Sequence, residues 1–194
     1  MNVTDHTSNK KPGADAGAAQ ENRSAVNPWD IEAPSPELLE SPIEFLFVEH
    51  NRQRQAANIL HLVADGEVNK AGVKKLIDFL ETDFAVHVAD EELCFFPLLL
   101  QHCPPEDNID KLIERLADEH KKDEATVTGM TTVLNDVMAG NKLNDKAVRT
   151  VRGFAEHILQ HLALENAVLL PIARARLNET ALCALSDMMK ERRI

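Results

Sequence analysis

Paired histidines and glutamates recur with one internal spacing in the two halves of this chain. The pattern His-x3-Glu-x5-Pro occurs at residues 87–97 and again at 161–171, and a Glu-His pair precedes each copy, at 49–50 and 119–120. Residues i and i+4 of a helix lie about 40° apart around its axis. Each copy can therefore offer one imidazole nitrogen and one carboxylate to a shared centre.

The number and type of these groups favour a pair of metal ions. Four imidazoles and two carboxylates exceed the four ligands that tetrahedral zinc takes. They suit two iron or manganese ions with each carboxylate bridging the pair, since imidazole binds iron and carboxylate binds harder cations. The predicted metal ligands are His50, His87, Glu91, His120, His161 and Glu165.

Two further residues are candidates for the same centre. Glu124 lies one turn after His120, where it is either an additional ligand or a solvated glutamate beside two lysines. His157 lies one turn before His161, nearer the edge of its stripe, and is either a ligand or a residue of the surrounding shell or an access channel.

Apolar periodicity predicts the helices that position these groups. Residues 41–42 form an N-cap followed by proline at the start of a first helix, and residues 65–66 end it. Asn69 caps a second helix, a third follows residues 104–105, and a fourth begins near Asn144. Short loops and the absence of β-like alternation favour an all-α fold, an antiparallel up-down four-helix bundle with a short C-terminal helix and a disordered N-terminal tail.

The predicted ligands occupy the apolar stripes of these helices, where leucine or isoleucine is expected. A buried carboxylate without a partner is very costly, so a compensating cation is required. Pro97, which follows the first copy of the pattern, is expected to kink or end the second helix.

Composition divides the chain into four parts. Residues 1–27 are small and polar and predict a disordered tail, and residues 28–40 form a proline-rich lead-in. The bundle is expected over 41–176, followed by the C-terminal helix over 177–194.

Charge and cysteine usage limit the partners. A net charge of −11 argues against nucleic-acid binding and gives no attraction to anionic lipid, and the longest apolar run, 93–100, is too short to span a bilayer. The N-terminus lacks the apolar region of a signal peptide, and the three cysteines show no CxxC pair. We therefore expect a cytoplasmic protein with free thiols and without nucleic-acid or membrane partners.

Four segments between about residue 43 and residue 174, FLFVEHNR, HVADEELCFFPLLLQHCPPED, LADEHKKDE and HILQHLALENAVLLPIA, resemble the hemerythrin-like HHE cation-binding family of bacterial hemerythrin-like proteins. The resemblance implies a four-helix bundle around two non-haem iron ions, oxo- or hydroxo-bridged, with manganese as the alternative metal. It assigns the bridges to Glu91 and Glu165, and the terminal ligands to His50, His87, His120 and His161. Ferritin-like bundles place histidine after glutamate in Glu-x-x-His, the reverse of the order found here.

The resemblance also indicates a function. Oxygen-carrying hemerythrins have two histidines four apart on the third helix, where this chain has His120 and Glu124. They bridge with an aspartate five residues after the fourth-helix histidine, where this chain has Glu165 four residues after His161. These departures favour the bacterial branch and the binding of O2 or NO at an open iron position, for sensing, detoxification or stress response. The alternative is a di-iron redox enzyme (NO reduction or peroxide decomposition) or an iron donor for the repair of iron centres, and a redox or regulatory protein is the expected partner.

Overall fold

The structure is a computed structural model that describes Met1 and residues 27–193. The disordered tail predicted for residues 1–27 therefore lies almost entirely outside the described residues. The lead-in is described: Ile31 is buried, and Trp29 covers the start of the second helix so closely that a Cβ on Gly72 would come within 2.7 Å of the Trp29 side chain.

Five helices account for most of the described chain, and no β-strand occurs among the residues that the structure describes. They are α1 (Pro42–Ala64), α2 (70–102), α3 (Asp110–Met138), α4 (145–176) and α5 (Glu179–Glu191). Short 3-10 turns at Pro36–Glu40 and Pro105–Asp107 precede α1 and α3. The predicted all-α class is confirmed, and no helix in the described part of the chain is long and apolar enough to cross a membrane.

The helix boundaries follow the local sequence signals. The Asn69 side chain accepts a hydrogen bond from the Gly72 amide at 3.0 Å, and Asn144 accepts one from the Ala147 amide at 2.9 Å. These side chains satisfy amide groups that the first turn of a helix leaves without partners. Gly66, with φ at +86°, adopts the left-handed conformation that glycine tolerates and follows the end of α1.

Each copy of the His-x3-Glu-x5-Pro pattern contains a segment of π-helix that begins at its glutamate. The segments are Glu91–Phe95 in α2 and Glu165–Leu169 in α4, and in the first the Phe96 amide donates to the Glu91 carbonyl, five residues back. Pro97 was predicted to kink or end the second helix, and it does not end the helix, because α2 continues to His102. Proline lacks an N–H and crowds the preceding turn of an α-helix, and the wider π turn directly before it accommodates the ring.

The buried apolar residues form two clusters separated by a layer of polar side chains. The Leu46 cluster includes Phe95, Leu116 and Leu169, and the Leu60 cluster includes Leu80. Along α1 and α3 the chain passes from the Leu46 cluster through the polar layer to the Leu60 cluster, and along α2 and α4 it passes in the opposite order.

The last helix is attached to one end of this arrangement. Leu185 and Met189 of α5 are fully buried in the Leu46 cluster. α5 contacts α1, the turn Pro36–Glu40 and the π segment Glu91–Phe95.

Candidate metal centre

The polar layer brings together all six residues that the sequence pattern selects. They form two overlapping groups: the first ligand set contains His50 and His87, the second contains His120 and His161, and both sets share the two glutamates. Within each set the four donor atoms lie within 4.8 Å of one another. Exposed fractions are 0% for His50, 2% for His87, 4% for His120, 5% for His161 and 0% for Glu91 and Glu165.

The Nε2 atoms of all four histidines point into the layer. His50 Nε2 lies 3.3 Å from Glu91 Oε1 and 3.4 Å from Glu165 Oε2, so it faces both glutamates. His161 Nε2 lies 3.1 Å from Glu165 Oε1 and 3.1 Å from His120 Nε2. Adjacent ligands of an octahedral ion with bonds of about 2.1 Å are separated by about 3 Å, which is close to these separations.

The glutamates in this layer are poorly satisfied by the protein itself. Glu91 Oε2 and both carboxylate oxygens of Glu165 are buried and accept no hydrogen bond. Buried anionic oxygens of this kind are costly unless a cation or donor compensates them. The imidazole and carboxylate donors fit an iron or manganese ion, which would supply the missing partner for these oxygens.

The pKa values of the site residues show how strongly the groups interact. Burial alone would lower the pKa of His87, but the Glu91 carboxylate outweighs burial and raises the pKa to about 9. Burial likewise opposes ionisation of His161, whose pKa is nevertheless raised to about 10, chiefly by Glu165. Burial disfavours the Glu91 carboxylate, yet His87 and His50 hold its pKa well below the usual range. The metal-free layer therefore retains protons that a metal ion would displace.

The histidines of the first ligand set have either a neutral hydrogen-bond partner at Nδ1 or none. His50 Nδ1 donates to the Asn166 amide oxygen at 2.9 Å, whereas the buried Nδ1 of His87 has no hydrogen-bond partner. Glu49, which precedes His50 in the Glu-His pair, accepts from Arg52 at 2.9 Å, and Arg52 also pairs with Asp83. The Glu49 carboxylate is thus neutralised by Arg52 and makes no hydrogen bond to a histidine of the site.

Outside the second ligand set both histidines donate to carboxylates. His120 Nδ1 donates to Glu92 Oε1 at 3.1 Å, and His161 Nδ1 donates to Glu119 Oε2 at 2.9 Å. Such bonds fix the tautomer that leaves Nε2 free for a metal, and they raise the basicity of the ring. Glu119 also accepts from Arg115 at 2.8 Å.

The two additional candidates do not belong to either set of donor atoms. Glu124 is exposed, and His157 is half-buried with its Nε2 3.0 Å from Asp123 Oδ1. Burial raises the pKa of Asp123 although His157 opposes the shift. Sequence reasoning did not select Asp123, and its position three residues after His120, on the same helical face, is the signal that could have found it.

A groove of about 550 Å³ between α2 and α3 reaches the second ligand set. Its walls are mainly apolar, with Phe84, Val88 and Val127 among them, and His120 lines it. The groove is within the size range of small-molecule sites. Glu92 and Glu124 also line it, so carboxylates flank the approach to His120.

The helices and the buried His/Glu layer define an all-helical protein with a cluster suited to binding metal. The model of the hemerythrin HHE cation-binding domain matches residues 41–173, and the chain belongs to this family. A search of curated proteins gives no match. The matched region includes α1 to α3 and nearly all of α4, and it ends before α5.

Proposed function

We propose that this protein is a cytoplasmic non-haem di-iron protein that binds O2 or NO for sensing, detoxification or stress response. The observation that carries the proposal is the sharing of Glu91 and Glu165 by two sets of buried histidines. Two sets with common carboxylates are arranged for two ions side by side, with the glutamates as bridges. The free state of the three cysteines supports the cytoplasmic location.

The architecture that we infer is an antiparallel up-down four-helix bundle over residues 41–176. The alternating order in which α1 to α4 pass between the Leu46 and Leu60 clusters supports it. We assign residues 28–40 to a lead-in and residues 177–194 to a C-terminal helical segment outside the bundle. All six proposed ligands lie in the polar layer at mid-length of these four helices.

Iron is the metal that the donor set favours, with manganese as the alternative. Four imidazole nitrogens and two bridging carboxylates leave coordination positions open at six-coordinate ions. When bound, a pair of iron ions supplies electrons and an open position for a diatomic ligand. The chain provides the remaining conditions: the apolar clusters exclude bulk water, and Glu92 and Glu119 orient His120 and His161.

The open position is proposed to lie on the side of the second ligand set. The groove between α2 and α3 reaches His120, and it is lined by neither histidine of the first set. A small apolar gas partitions into an apolar groove readily, because it loses little hydration there.

One observation favours the redox-enzyme alternative. Glu92 touches His120, lines the groove and keeps its side chain 32% exposed, so it can exchange protons with solvent. Reduction of NO to N2O and water consumes protons near the ligand, and decomposition of peroxide to water and O2 transfers protons between oxygens, whereas reversible binding does neither. Replacing Glu92 therefore distinguishes a redox enzyme, which needs its proton transfer, from a protein that only binds the ligand.

Anaerobic NO addition to the reduced, metal-loaded protein tests the proposal. We expect about two irons per chain and saturable NO binding without N2O release from wild-type protein. Catalytic N2O formation in the presence of an excess external electron donor, which Glu92→Gln abolishes, would establish the redox enzyme instead. Purified protein with neither iron nor manganese, or metal content that stays unchanged after His→Ala at positions 50, 87, 120 and 161, would overturn the metal centre itself.

A further inference from the structure

A fully buried carboxylate lies beside the metal centre without belonging to either ligand set. Asp90 is 0% exposed and directly precedes Glu91, from which the π segment Glu91–Phe95 starts. Arg192 Nε lies 2.8 Å from Asp90 Oδ1, and Arg193 Nη2 lies 2.6 Å from Asp90 Oδ2. A buried aspartate is thus neutralised by two adjacent arginines from the far end of the chain.

The same arginines hold neighbouring parts of the protein. Arg192 Nη2 donates to Cys94 Sγ at 3.1 Å, one turn along α2 from Asp90, so one guanidinium spans most of the π segment. The Arg193 guanidinium lies over the Phe45 ring of α1, 4.7 Å from its centroid. The arginine side chains are only 25% and 24% exposed, which strengthens their electrostatic contacts relative to surface pairs.

The internal repeat provides a comparison within the molecule. The residue before Glu91 is Asp90, whereas the residue before Glu165 is Leu164, which is half-buried and apolar. Both glutamates begin a π segment, but among the described residues only the first segment is preceded by a carboxylate that pairs with arginines. The arginines lie beyond residue 173, where the family match ends, so the common domain does not provide this contact.

We propose that Asp90, Arg192 and Arg193 act as positioning residues that hold Glu91 between the two ligand sets. The proposal rests on the metal centre proposed above. Asp90 and Glu91 are consecutive, so anchoring the Asp90 carboxylate fixes the turn from which the Glu91 side chain projects. The 192–193 arginine pair directly follows α5, whose Leu185 and Met189 are buried, and therefore makes the C-terminal segment a structural part of the metal site.

Four variants of the metal-loaded full chain test this proposal. Asp90→Asn removes the buried charge with little change of shape, and Arg192→Gln with Arg193→Gln removes both cationic partners. Arg192→Lys with Arg193→Lys keeps the charge as a rescue variant. Lys190→Gln is the matched control, because Lys190 lies near the end of α5 and pairs with Glu40 of the turn before α1, not with a residue of α2.

The measurements are the rate of iron release to a chelator, the charge-transfer spectrum and the circular dichroism of each variant. We expect the Asn and double Gln variants to release iron about tenfold faster and to shift the spectrum, while the lysine variant and the control remain near wild type. Folded Asn and double Gln variants with the wild-type spectrum and release rate would overturn the proposal. If the double Gln variant does not fold, Asp90→Asn alone decides between these outcomes. Wild-type protein that binds no metal would instead overturn the proposed function.

Discussion

The two ligand sets are nearly identical in their donor atoms and differ in what surrounds them. Each contains two histidines and the same two glutamates. Around the first set, His50 donates to a neutral amide and His87 Nδ1 has no partner, whereas around the second set both histidines donate to carboxylates. The groove approaches the second set alone.

One position in the repeat accounts for part of the difference. Glu49 and Glu119 each precede a histidine, but Arg52 is buried and binds Glu49, whereas its counterpart Lys122 is exposed. Glu119 accepts from Arg115 through one oxygen and from His161 through the other. Carboxylates around metal-bound imidazoles raise ligand basicity and stabilise the more highly charged ion. A repeated ligand pattern can thus produce two metal positions with different affinity and redox behaviour.

The shared glutamates are expected to show the largest effect. Glu91→Ala removes a ligand from both sets at once, so metal content should fall from about two ions to less than one ion per chain. Metal analysis of purified protein measures the loss. Glu124→Ala is the control and should retain its metal, because Glu124 belongs to neither set. Loss of a single ion from Glu91→Ala would show that this glutamate does not bridge.

Emptying one set at a time should separate the two positions. The pair His50→Ala and His87→Ala should leave about one ion, as should the pair His120→Ala and His161→Ala. Only the second pair should abolish NO binding, because the groove reaches His120. Anaerobic titration with NO, followed by absorption, checks this. If the variant without His120 and His161 still binds NO and the variant without His50 and His87 does not, the open position lies at the first set instead.

The outer carboxylates should produce an intermediate effect. Glu119→Gln should weaken the metal at the second set about tenfold and raise its reduction potential, since an uncharged amide no longer raises the basicity of His161. Asn166→Asp, which places a carboxylate beside His50, should shift the first set in the opposite direction. Potentiometric titration measures the reduction potentials of both variants. Equal potentials in the wild type and both variants would contradict the asymmetry.

Metal affinity should increase with pH because ligand protons must leave. In the metal-free protein the raised pKa values of about 9 for His87 and about 10 for His161 keep both rings protonated at neutral pH. Each displaced proton makes affinity rise about tenfold per pH unit. The increase in metal affinity should level off above about pH 9 for the first set and above about pH 10 for the second, where His87 and His161 have lost their protons. Competition titrations with a colorimetric chelator measure it, and an affinity independent of pH would contradict the coupling.

Narrowing the groove should have the smallest effect. Thr128→Trp fills part of the groove and should slow NO association several-fold without changing metal content. Thr132→Trp is a suitable control, because Thr132 is exposed one turn further along α3 and does not line the groove. Stopped-flow association rates check this, and identical rates for the two variants would place the access route elsewhere.

Much of this organisation could be predicted from local signals. The helix caps at Asn69 and Asn144, the all-α class and the residues that meet in the polar layer all follow from spacing and periodicity, which act over a few turns. The π segments of the two repeats were not anticipated, although the glutamate and proline of each repeat mark their positions. Pro97 consequently lies inside a helix that it was expected to kink or end.

The contacts around the site could not be predicted, because they depend on which residues meet across the fold. Arg52 and Lys122 are both basic residues two positions after a histidine, and only packing shows that one is buried and the other exposed. The pairing of Asp90 with Arg192 joins positions separated by 102 residues, and no spacing rule relates them. Asp123 escaped selection because its partner His157 lies on another helix.

Mössbauer spectroscopy of the wild-type protein loaded with isotopically enriched iron tests the central claim most directly. Two shared glutamates and two unlike histidine pairs predict about two irons per chain, seen as two quadrupole doublets of equal area. A single doublet from one iron per chain, or iron without defined ligation, would contradict the paired and asymmetric centre.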